Sequence, residues 1–388
     1  MAKQIKQAII MGLVVFAVAS IPGLKEYLIA DAITLAVTTF VGTLAAGVVN
    51  KMTSKGLEAN AGNFGTKVTR RGAIQPRQLI YGKARVGGTY VHMELTGQDN
   101  FLLHTVVVLA GHEIEELVSV RFNSVDLTTS TSTISGSTVH TVTNSDFTNT
   151  ENENDFGSGR LCRFTVSDGS QTAVDGFMNA QLSSMGTSDK FLGCAYVYMQ
   201  MVFDTDKFGG GIPATSFVVK GKKCFDPRDD STAFTSNPAL HIRDFLSNTQ
   251  YGIKATGSEI NDTTNAGGFA SAANTCDQNV TLADGSTTEK RYEANGFTNF
   301  AANGNGILEG LLSSMSGKLS YANGKFNVFA GASQTPSLTI TDDELLSTIA
   351  VSTNSSSGEL YNTIKPIYVD STQAVSYTHL TLPTNREV

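Results

Sequence analysis

The chain of 388 residues has no tryptophan and few charged side chains. Without indole rings, and with aromatic residues at 8%, a sugar-binding cleft lined by tryptophan is disfavoured. Charged residues make up only 16% of the chain, whereas glycine, serine, threonine and asparagine are abundant, and this composition favours a β-rich, loop-rich protein. The net charge is −7 and the basic residues form no stripe, so the grouped cations that bind nucleic-acid phosphates are missing. We therefore expect no specific nucleic-acid binding.

Cysteine is also scarce, and the four cysteines lie far apart without a C-x-x-C pair. They are Cys162, Cys194, Cys224 and Cys276. Zinc sites and disulfide frameworks show characteristic cysteine spacings that this chain lacks. The sequence therefore predicts buried, reduced thiols, or at most one labile pair.

No catalytic motif of the common hydrolase or nucleotide-binding kinds occurs in the sequence. His112-Glu113 does not begin an H-E-x-x-H zinc helix, because residue 116 is Glu116. A glycan-cleaving enzyme would need two carboxylates facing each other across a cleft. The candidates Glu113, Glu115 and Glu116 fall on one predicted hairpin without an opposing wall. We expect no enzymatic activity and no cofactor.

Two patterns only imitate metal sites. Residues 204–209 resemble the start of a calcium loop, but Phe208 and Thr215 stand where ligands belong. Three histidines lie near one another along the chain, and local hydrogen bonds in a core are a more common role for such residues than a metal triad. These histidines are His92, His104 and His112. We expect no metal site.

The length suggests two or three domains. The composition changes along the chain, and the predicted fold class is a β-rich α+β protein with mixed sheets and short capped helices, preceded by two apolar helices. The predicted parts are an apolar helical segment (1–52), a β-rich domain (53–256) with a Ser/Thr-rich and acidic surface insertion (127–157), an α+β lobe (257–374), and a tail (375–388).

The amino-terminal segment allows three interpretations. Residues 8–21 are apolar and follow two lysines, and residues 32–49 carry no charge over a length that, as a helix, would nearly cross a bilayer. A secretory signal, a membrane hairpin, and a pair of helices packed within an oligomer all fit this pattern. Membrane contact by residues 8–49 therefore stays open.

The tail has the sequence expected from the translation of a sequencing adapter. Residues 375–384 read V-S-Y-T-H-L-T-L-P-T, the string that a transposon-based adapter encodes in one frame. Such segments are excluded from fold reasoning. We expect the gene to have been cut near Ala374, which would make the preceding residues an amino-terminal fragment.

Hydrophobic patterning predicts several strands in the first half of the chain. Residues 102–110 form a continuous apolar run typical of a buried strand, and residues 114–122 are expected to pair with it as a hairpin. Residues 160–166 and 195–203 have the pattern of further core strands. The insertion at 127–157 has too few apolar side chains to offset the entropy of ordering, so a solvated excursion is expected.

In the second half of the chain, capping and turn residues mark the ends of helices and strands more clearly. Asn237 and Pro238 are typical of a helix start, and Asn305 is expected to cap a second amphipathic helix. Asn323-Gly324 predicts a tight hairpin turn, and residues 341–344 form a capping box for a helix through residue 349. The polar, glycine-rich residues 257–285 suggest a linker between lobes.

Three stretches have a distinctive order of residues. Residues 209–253 contain G-G-G-I-P, then V-K-G-K-K-C-F-D-P-R, then N-P-A-L-H-I-R-D-F-L and Y-G. Residues 76–88 read P-R-Q-L-I-Y-G-K-A-R-V-G-G and lead to the strand that ends at Gly111 and His112. Residues 291–331 contain R-Y-E-A-N-G and N-G-K-F-N-V-F-A-G. No acid–base pair or phosphate cradle accompanies them, so the spacing indicates an assembly module.

In this order and spacing the chain resembles the tail-tip hub proteins of long-tailed bacteriophages, the tip attachment protein J group, over roughly residues 70 to 335. The resemblance implies a structural virion protein, in which three copies form a ring that closes the tail tube, holds the tape-measure protein and opens a path for DNA. It implies assembly in the host cytoplasm, contact with other tail-tip proteins, and a receptor-binding part beyond this chain. The assembly residues it implies are Pro76, Arg77, Tyr81, Gly82, Arg85, Gly111, His112, Gly211, Pro213, Lys220, Gly221, Asp226, Pro227, Arg228, Asn237, Pro238, Tyr251 and Gly252. Arg77 or Arg85 is expected to pair across a subunit interface.

A membrane-anchored or exported β-rich protein that binds a partner through its Ser/Thr-rich loops is the alternative. The apolar amino terminus is the feature that favours it. A need for detergent to keep the chain in solution would separate this alternative from the hub.

Overall fold

The computed structural model describes residues 70–71, 75–209, 211–282, 285–333, 341, 368–370 and 375–377. From residue 70 onward, they belong to one compact unit, Asn63–Val388. The predicted apolar helices within residues 1–52, the helix expected after the capping box at 341–344, and most of the tail lie outside the described residues. Of the tail, Val375–Tyr377 pairs with Tyr368–Asp370 as an antiparallel two-stranded sheet.

Strands outnumber helices, and the fold class is α+β and strand-rich, as predicted. The strands of the first half are β1 (Arg70–Arg71), β2 (Gln78–Tyr81), β3 (Lys83–Val86), β4 (Thr89–Thr96), β5 (Leu102–Ala110), β6 (Glu116–Phe122), β7 (Val125–Asp126), β8 (Thr129–Ile134), β9 (Ser137–Val142), β10 (Cys162–Ser167), β11 (Ala195–Val202) and β12 (Thr215–Lys220). Those of the second half are β13 (Lys223–Asp226), β14 (Ser231–Phe234), β15 (Asn279–Thr281), β16 (Thr288–Lys290), β17 (Gly296–Asn299), β18 (Lys318–Ala322), β19 (Lys325–Phe329), β20 (Tyr368–Asp370) and β21 (Val375–Tyr377). The α-helices are α1 (Gly176–Gln181), α2 (Thr205–Phe208), α3 (Pro238–Ser247), α4 (Phe269–Cys276) and α5 (Gly304–Ser314).

A seven-stranded sheet with the order β1-β4-β5-β11-β10-β9-β8 forms one wall of the first lobe. Its central strand β11 is buried along its whole length because both faces are covered. Side chains of a strand alternate between the two faces. Val197 and Met199 thus enter the core beneath the sheet, whereas Tyr196 and Tyr198 pack with Phe177 of α1 on the opposite face.

A four-stranded sheet with the order β3-β12-β6-β7 forms the other wall. Phe217 and Val219 of β12 and Phe122 of β6 are buried in the core between the two sheets. The first lobe is therefore a β-sandwich. The predicted core strands at 102–110, 160–166 and 195–203 are confirmed as β5, β10 and β11, all in the seven-stranded sheet.

The predicted hairpin between residues 102–110 and 114–122 is wrong. β5 pairs with β4 and β11, whereas β6 pairs with β12 and β7 in the opposite sheet. Gly111 to Ile114 cross from one sheet to the other, and Ile114 is fully buried on the way. Two apolar strands that follow each other in sequence are expected to pair as a hairpin. Here β5 and β6 belong to opposite sheets, and each buries its apolar face in the core between them.

Residues 127–157, predicted as a solvated excursion, contain the regular hairpin β8–β9 at the edge of the seven-stranded sheet. Ser135 and Gly136 have positive φ angles of 51° and 80°, which a tight hairpin turn requires. Val139 and Val142 anchor β9 in the lobe. The β-branched threonines of β8 favour an extended strand even where it is exposed, which the argument from apolar content missed.

The second lobe has its own hydrophobic core, built from α3, α4, α5 and the hairpin β18–β19. Asn237 caps α3 and Pro238 occupies its first turn, as predicted. The predicted turn at Asn323-Gly324 is confirmed, with φ angles of 53° and 74°. The cap of α5 is Asn303, whose side chain accepts a hydrogen bond from the backbone N–H of Asn305, so the prediction of Asn305 was two residues late.

Residues 257–285 were expected to be a polar linker, and this is wrong for α4. Phe269, Ala273 and Cys276 are fully buried, and α4 packs against α3. The short helix was not predicted because glycine, asparagine and threonine residues flank it. Its small alanines allow α4 to pack closely on α3.

All four cysteines are buried and free, as predicted. Among the described residues, no helix is both long enough and apolar enough to span a membrane.

Candidate functional site

Strand β2 lies between the two cores. Leu79 and Tyr81 point into the core of the second lobe, whereas Ile80, on the other face of the strand, is buried in the core of the β-sandwich. Four residues thus join both lobes. We call β2, Gly82 and the residues that contact them the seam. Apart from β17, those contacting residues are Gly111, His112, Gly221, Lys222, His241, Asp244, Tyr251 and Asn295.

Backbone hydrogen bonds from distant segments fix the seam. The N–H groups of Gly221 and Lys222 donate to the carbonyls of Gly82 and Ile80 at 2.8 and 2.9 Å. The N–H of Gly111 donates to the carbonyl of Gln78 at 2.9 Å. β2 also pairs antiparallel with β17. Segments more than a hundred residues away along the chain therefore converge on one short strand.

Asp244 of α3 is the polar centre of the seam. The hydroxyls of Tyr81 and Tyr251 both donate to its Oδ2 atom at 2.6 Å, and Lys222 Nζ lies 3.8 Å from its Oδ1 atom. Burial, reinforced by the Asp244 charge, raises the pKa of Tyr81 well above its usual value, and the same two causes raise the pKa of Tyr251. Both tyrosines thus remain protonated donors to the carboxylate.

His112 holds the sandwich side of the seam. Its Nε2 atom accepts the N–H of Ile80 at 3.0 Å, and its Nδ1 atom lies 2.7 Å from the carbonyl oxygen of Glu113. This pairing requires the neutral ring with the proton on Nδ1, since a protonated Nε2 could not accept. Burial is the main cause that lowers the pKa of His112 to about 4; the hydrogen bond to Glu113 opposes this shift and the charge of Lys222 adds to it.

His241 of α3 holds the other side. Its ring stacks on Tyr81 with 4.6 Å between ring centroids, and Nε2 lies 3.0 Å from the carbonyl oxygen of Thr235. Its Nδ1 atom is buried without a hydrogen-bond partner among the described residues. Burial lowers the pKa of His241 to about 4. The seam therefore has one neutral, buried histidine on each lobe.

A second group of predicted residues ties the β13–β14 hairpin to α4. The Arg228 guanidinium binds Asp226 within the turn and also lies 2.9 Å from Asp277. Asn237, besides capping α3, donates from Nδ2 to Asp277 at 3.0 Å. Pro227 lies between the paired Asp226 and Arg228, so the ion pair closes the turn around the proline.

Other predicted residues lie at the rim of the seam. Pro76 and Arg77 are exposed just before β2. The carbonyl of Arg77 accepts the N–H of Phe300 at 2.8 Å. Gly252, next to Tyr251, packs so closely on α3 that a Cβ there would collide with the carbonyl of Phe245.

The structure does not bring the remaining predicted residues to the seam. Gly211, with a φ of 98°, and the buried Pro213 lie in the loop that leads into β12, beside Asn123. Arg85 and Lys220 are on the outer face of the four-stranded sheet, where Arg85 binds Ser216 and Lys220 binds Glu116.

The three histidines near one another in sequence separate in the fold. His92 contacts Glu94 and Ser184, and His104 contacts Thr96 and Tyr198, whereas His112 belongs to the seam. Among the described residues, no group of three or more His, Cys, Asp or Glu side chains could hold a metal ion.

The residues whose patterns resemble a calcium loop or a pair of catalytic carboxylates have local partners. Asp204 caps α2 and accepts hydrogen bonds from Asn149 and Asn152. Glu113 and Glu115 both lie within ion-pair distance of Lys223, on the surface.

Sequence reasoning missed Asp244, Lys222 and His241 as site residues. All three lie inside the quoted strings: Lys222 is the first lysine of G-K-K, His241 is the histidine of N-P-A-L-H, and Asp244 is the aspartate of D-F-L. The polar residues within those strings were therefore the sequence signal that could have identified these three site residues. Their side chains are engaged with one another or with the backbone, so the seam is suited to transmitting force and fixing orientation between lobes.

Replacing Gly82 by alanine should lower the free energy of unfolding by about 2 kcal/mol. Gly82 has a φ of 63°, in the left-handed region, and a Cβ there would collide with Asn295 Oδ1 and the carbonyl of Ala294. Urea unfolding monitored by circular dichroism measures the change.

Gly310→Ala is the matched control, because Gly310 lies inside α5 with open space around its Cβ position. It should raise the free energy of unfolding by about 0.5–1 kcal/mol, since alanine loses less backbone entropy in a helix. Equal effects of the two substitutions would contradict the close packing at Gly82.

Comparison with known proteins adds little to this picture. No protein-family model matches the chain, and no curated protein matches it. Among solved structures, one chain of the virion of a native gene transfer agent particle is similar at 12% identity with a TM-score of 0.28, over 48% of this chain. The matched part spans 38% of that chain. A similarity of this size defines neither the fold nor the function.

Proposed function

We propose that this chain is a structural virion protein of a long-tailed phage, the tail-tip hub that closes the tail tube and takes part in host attachment and DNA delivery. The observation that carries the proposal is the seam. The three stretches that resemble the hub family lie far apart in sequence, yet residues of each stretch meet at β2: Tyr81 and Gly82, then Gly221 and Asp244, then Asn295. The residues that carry the resemblance thus lie together at one three-dimensional joint, and this supports the proposal.

The chemistry of the joint supports a mechanical role. The carboxylate of Asp244 and the ring of His112 are occupied by hydrogen bonds that join the lobes. A ring component that opens on receptor contact needs lobes that keep their orientation until a new packing is favoured. Such a protein acts through its interfaces, and we propose no catalytic step and no cofactor for it.

The partners follow from the same proposal. Three copies form the ring, which contacts the tape-measure and other tail-tip proteins. The chain is assembled in the host cytoplasm and resides at the tail tip. Membrane contact by residues 8–49 is compatible with DNA delivery but is not required for the ring.

The test is the oligomeric state of the full chain. We expect light scattering to give the mass of three chains and negative-stain electron microscopy to show three-fold rings, without detergent. A monomer at every concentration would contradict the hub. A chain that stays in solution only with detergent would favour the membrane-anchored alternative, for which the apolar amino terminus is the supporting feature.

A further inference from the structure

Arg163 of β10 belongs to a row of polar side chains that crosses the seven-stranded sheet. The cross-strand pairs place one residue of each of the strands β4, β5, β11, β10 and β9 side by side: Glu94, His104, Gln200, Arg163 and Thr141. Residues directly opposite each other on neighbouring strands share one face of a sheet. This polar row lies on the face that α1 covers, because Tyr198, two residues before Gln200, packs there with Phe177. Arg163 is thus turned away from the core between the two sheets.

Two aromatic rings and one amide fix the guanidinium of Arg163. Its Cζ atom lies 4.1 Å from the ring centroid of Phe156, in the loop between β9 and β10, and 4.8 Å from that of Phe177 in α1. Its Nε atom donates a hydrogen bond to Oε1 of Gln200 at 2.5 Å. The amide of Gln200 is itself held, because its Nε2 atom donates to the Tyr198 hydroxyl at 3.0 Å. The guanidinium therefore has a fixed position and direction.

The positive charge of Arg163 has no negative partner among the described residues. The side chain is partly buried, and none of their carboxylates forms an ion pair with it. The Tyr198 hydroxyl lies close enough to act on Arg163 electrostatically, but burial raises the pKa of Tyr198, so this hydroxyl is neutral near pH 7. Proteins usually pair charges that are withdrawn from water, because an unpaired one is unfavourable. Arg163 is an exception within its own chain.

Two carboxylates lie in the same row or the neighbouring loop, but both are engaged elsewhere. Glu94 stands three strands away from Arg163, about 14 Å at the usual strand spacing, and accepts a hydrogen bond from Ser184. Asp155 accepts the backbone N–H of Gly157 at 2.9 Å, within its own loop. The positive charge beside α1 is therefore left without compensation by either group.

The terminal nitrogens of Arg163 are free to bind a ligand. Its Nε atom is used by Gln200, whereas no described residue accepts a hydrogen bond from Nη1 or Nη2, and neither atom is shut off from water. Their N–H groups form a planar fork that can donate to two oxygens of a carboxylate or phosphate at once. The neighbours of Arg163 in the polar row, Thr141 and Gln200, are neutral and bring no competing charge.

We propose that Arg163 anchors a binding site for an oxyanion, the carboxylate or phosphate group of a larger ligand. The anion supplies the negative charge that the described residues do not provide, and its oxygens accept hydrogen bonds from the terminal nitrogens. The site is preorganised, because the rings of Phe156 and Phe177 and the amide of Gln200 already hold the guanidinium, so little side-chain freedom is lost on binding. This inference does not depend on the ring of three copies, since one copy contains every group that it uses.

Three small probes with the same methyl group test the site in the full chain: acetate, methyl phosphate and the neutral acetamide. Saturation-transfer NMR at low ionic strength measures their binding, since it follows weak ligands through their own signals. We expect at least one of the two anions to bind with a dissociation constant of about 1–10 mM, the range of a single bidentate contact. Acetamide should bind at least about tenfold more weakly. The anion that binds more tightly identifies the group that the larger ligand carries.

Substitutions of Arg163 assign the binding to this side chain. Arg163→Gln should weaken binding of the preferred anion at least about tenfold. Arg163→Lys keeps the charge and the packing of the aliphatic stem but loses the planar fork, so binding about three- to fivefold weaker is expected. The matched control is Arg291→Gln, which should stay within about twofold of the wild type. Arg291 also donates from Nε to a glutamine, Gln278, at 3.1 Å, but it is exposed and contacts no aromatic ring among the described residues.

The absence of binding by both anions would overturn the site, as would equal binding of acetate and acetamide. Binding that falls no further in Arg163→Gln than in Arg291→Gln would also overturn it, because the anion would then be held elsewhere. Circular dichroism shows whether each variant is folded. If Arg163→Gln does not fold, Arg163→Lys decides, and unchanged affinity for both anions in that variant would contradict a bidentate contact. The oligomeric state does not enter these outcomes, so the site and the tail-tip ring can fail separately.

Discussion

Replacing Asp244 by alanine is expected to lower the free energy of unfolding by about 3–5 kcal/mol. The Oδ2 atom of Asp244 accepts hydrogen bonds from Tyr81 and Tyr251, both at 2.6 Å. Tyr81 is almost fully buried, so alanine at position 244 leaves its hydroxyl without an acceptor and without access to water. Two charge-assisted hydrogen bonds are lost together, so one removed side chain weakens the contact between β2 and α3.

The double variant Tyr81→Phe with Tyr251→Phe isolates this effect. In that background no hydroxyl points at residue 244, so Asp244→Ala should cost only about 1 kcal/mol more. Asp244→Asn is a milder control, because asparagine keeps an oxygen acceptor and loses the charge, and about 1–2 kcal/mol is expected. Urea unfolding of the full chain gives each free energy. An equal cost of Asp244→Ala in both backgrounds would show that the tyrosine hydrogen bonds do not stabilise the seam.

Local features of the fold could be predicted from the sequence because their causes are local. The cap at Asn237 and the turn at Asn323-Gly324 depend on residues within one turn of chain, and the apolar run of β5 is a property of nine consecutive residues. Pairing between strands has no such local cause. β5 and β6 follow each other in sequence, yet each buries its apolar face from an opposite side of one core, and nothing in either strand specifies its partner.

The seam could be predicted only in part for the same reason. The quoted strings contain all of its residues except Gly111 and His112, but the strings gave no indication that Asp244 would meet Tyr81, which lies 163 residues away. His112 could be assigned to a turn because it follows a strand and a glycine. Its hydrogen bond to the backbone of Ile80 depends on a crossover between sheets that the predicted hairpin excluded.

A second large loss of stability is expected when the pH falls below neutral, and it also arises at the seam. His112 and His241 are neutral in the fold, with pKa values of about 4, against 6.5 for an unhindered histidine. Between these values the unfolded chain binds more protons than the folded chain, so the free energy of unfolding rises with pH in this window. The contribution of each histidine is complete above pH 6.5 and is lost as the pH falls through about 4.

The expected size is about 3 kcal/mol for each histidine, because each unit of pKa difference corresponds to about 1.4 kcal/mol. The geometry gives the reason. A proton on Nε2 of His112 would face the N–H of Ile80, and a proton on Nδ1 of His241 would be buried without an acceptor among the described residues. Protonation therefore disturbs the backbone of Ile80 and the packing around Tyr81 at once, and the seam should be the first part of this unit to open in acid.

Substitutions that cannot titrate separate the histidines from the carboxylates, which protonate over part of the same range. His112→Gln keeps an acceptor for the N–H of Ile80, and His241→Phe keeps a ring that can stack on Tyr81. Each variant should lose about 3 kcal/mol less than the wild type between neutral pH and about pH 4. The double variant should show about twice that difference, because His112 contacts the backbone of Ile80 and His241 the ring of Tyr81, so the two imidazoles share no partner. Urea unfolding at a series of pH values gives the slopes. A double variant with the slope of the wild type would mean that both imidazoles bind protons in the folded protein as readily as in the unfolded chain, which the hydrogen bond from Ile80 to His112 does not permit.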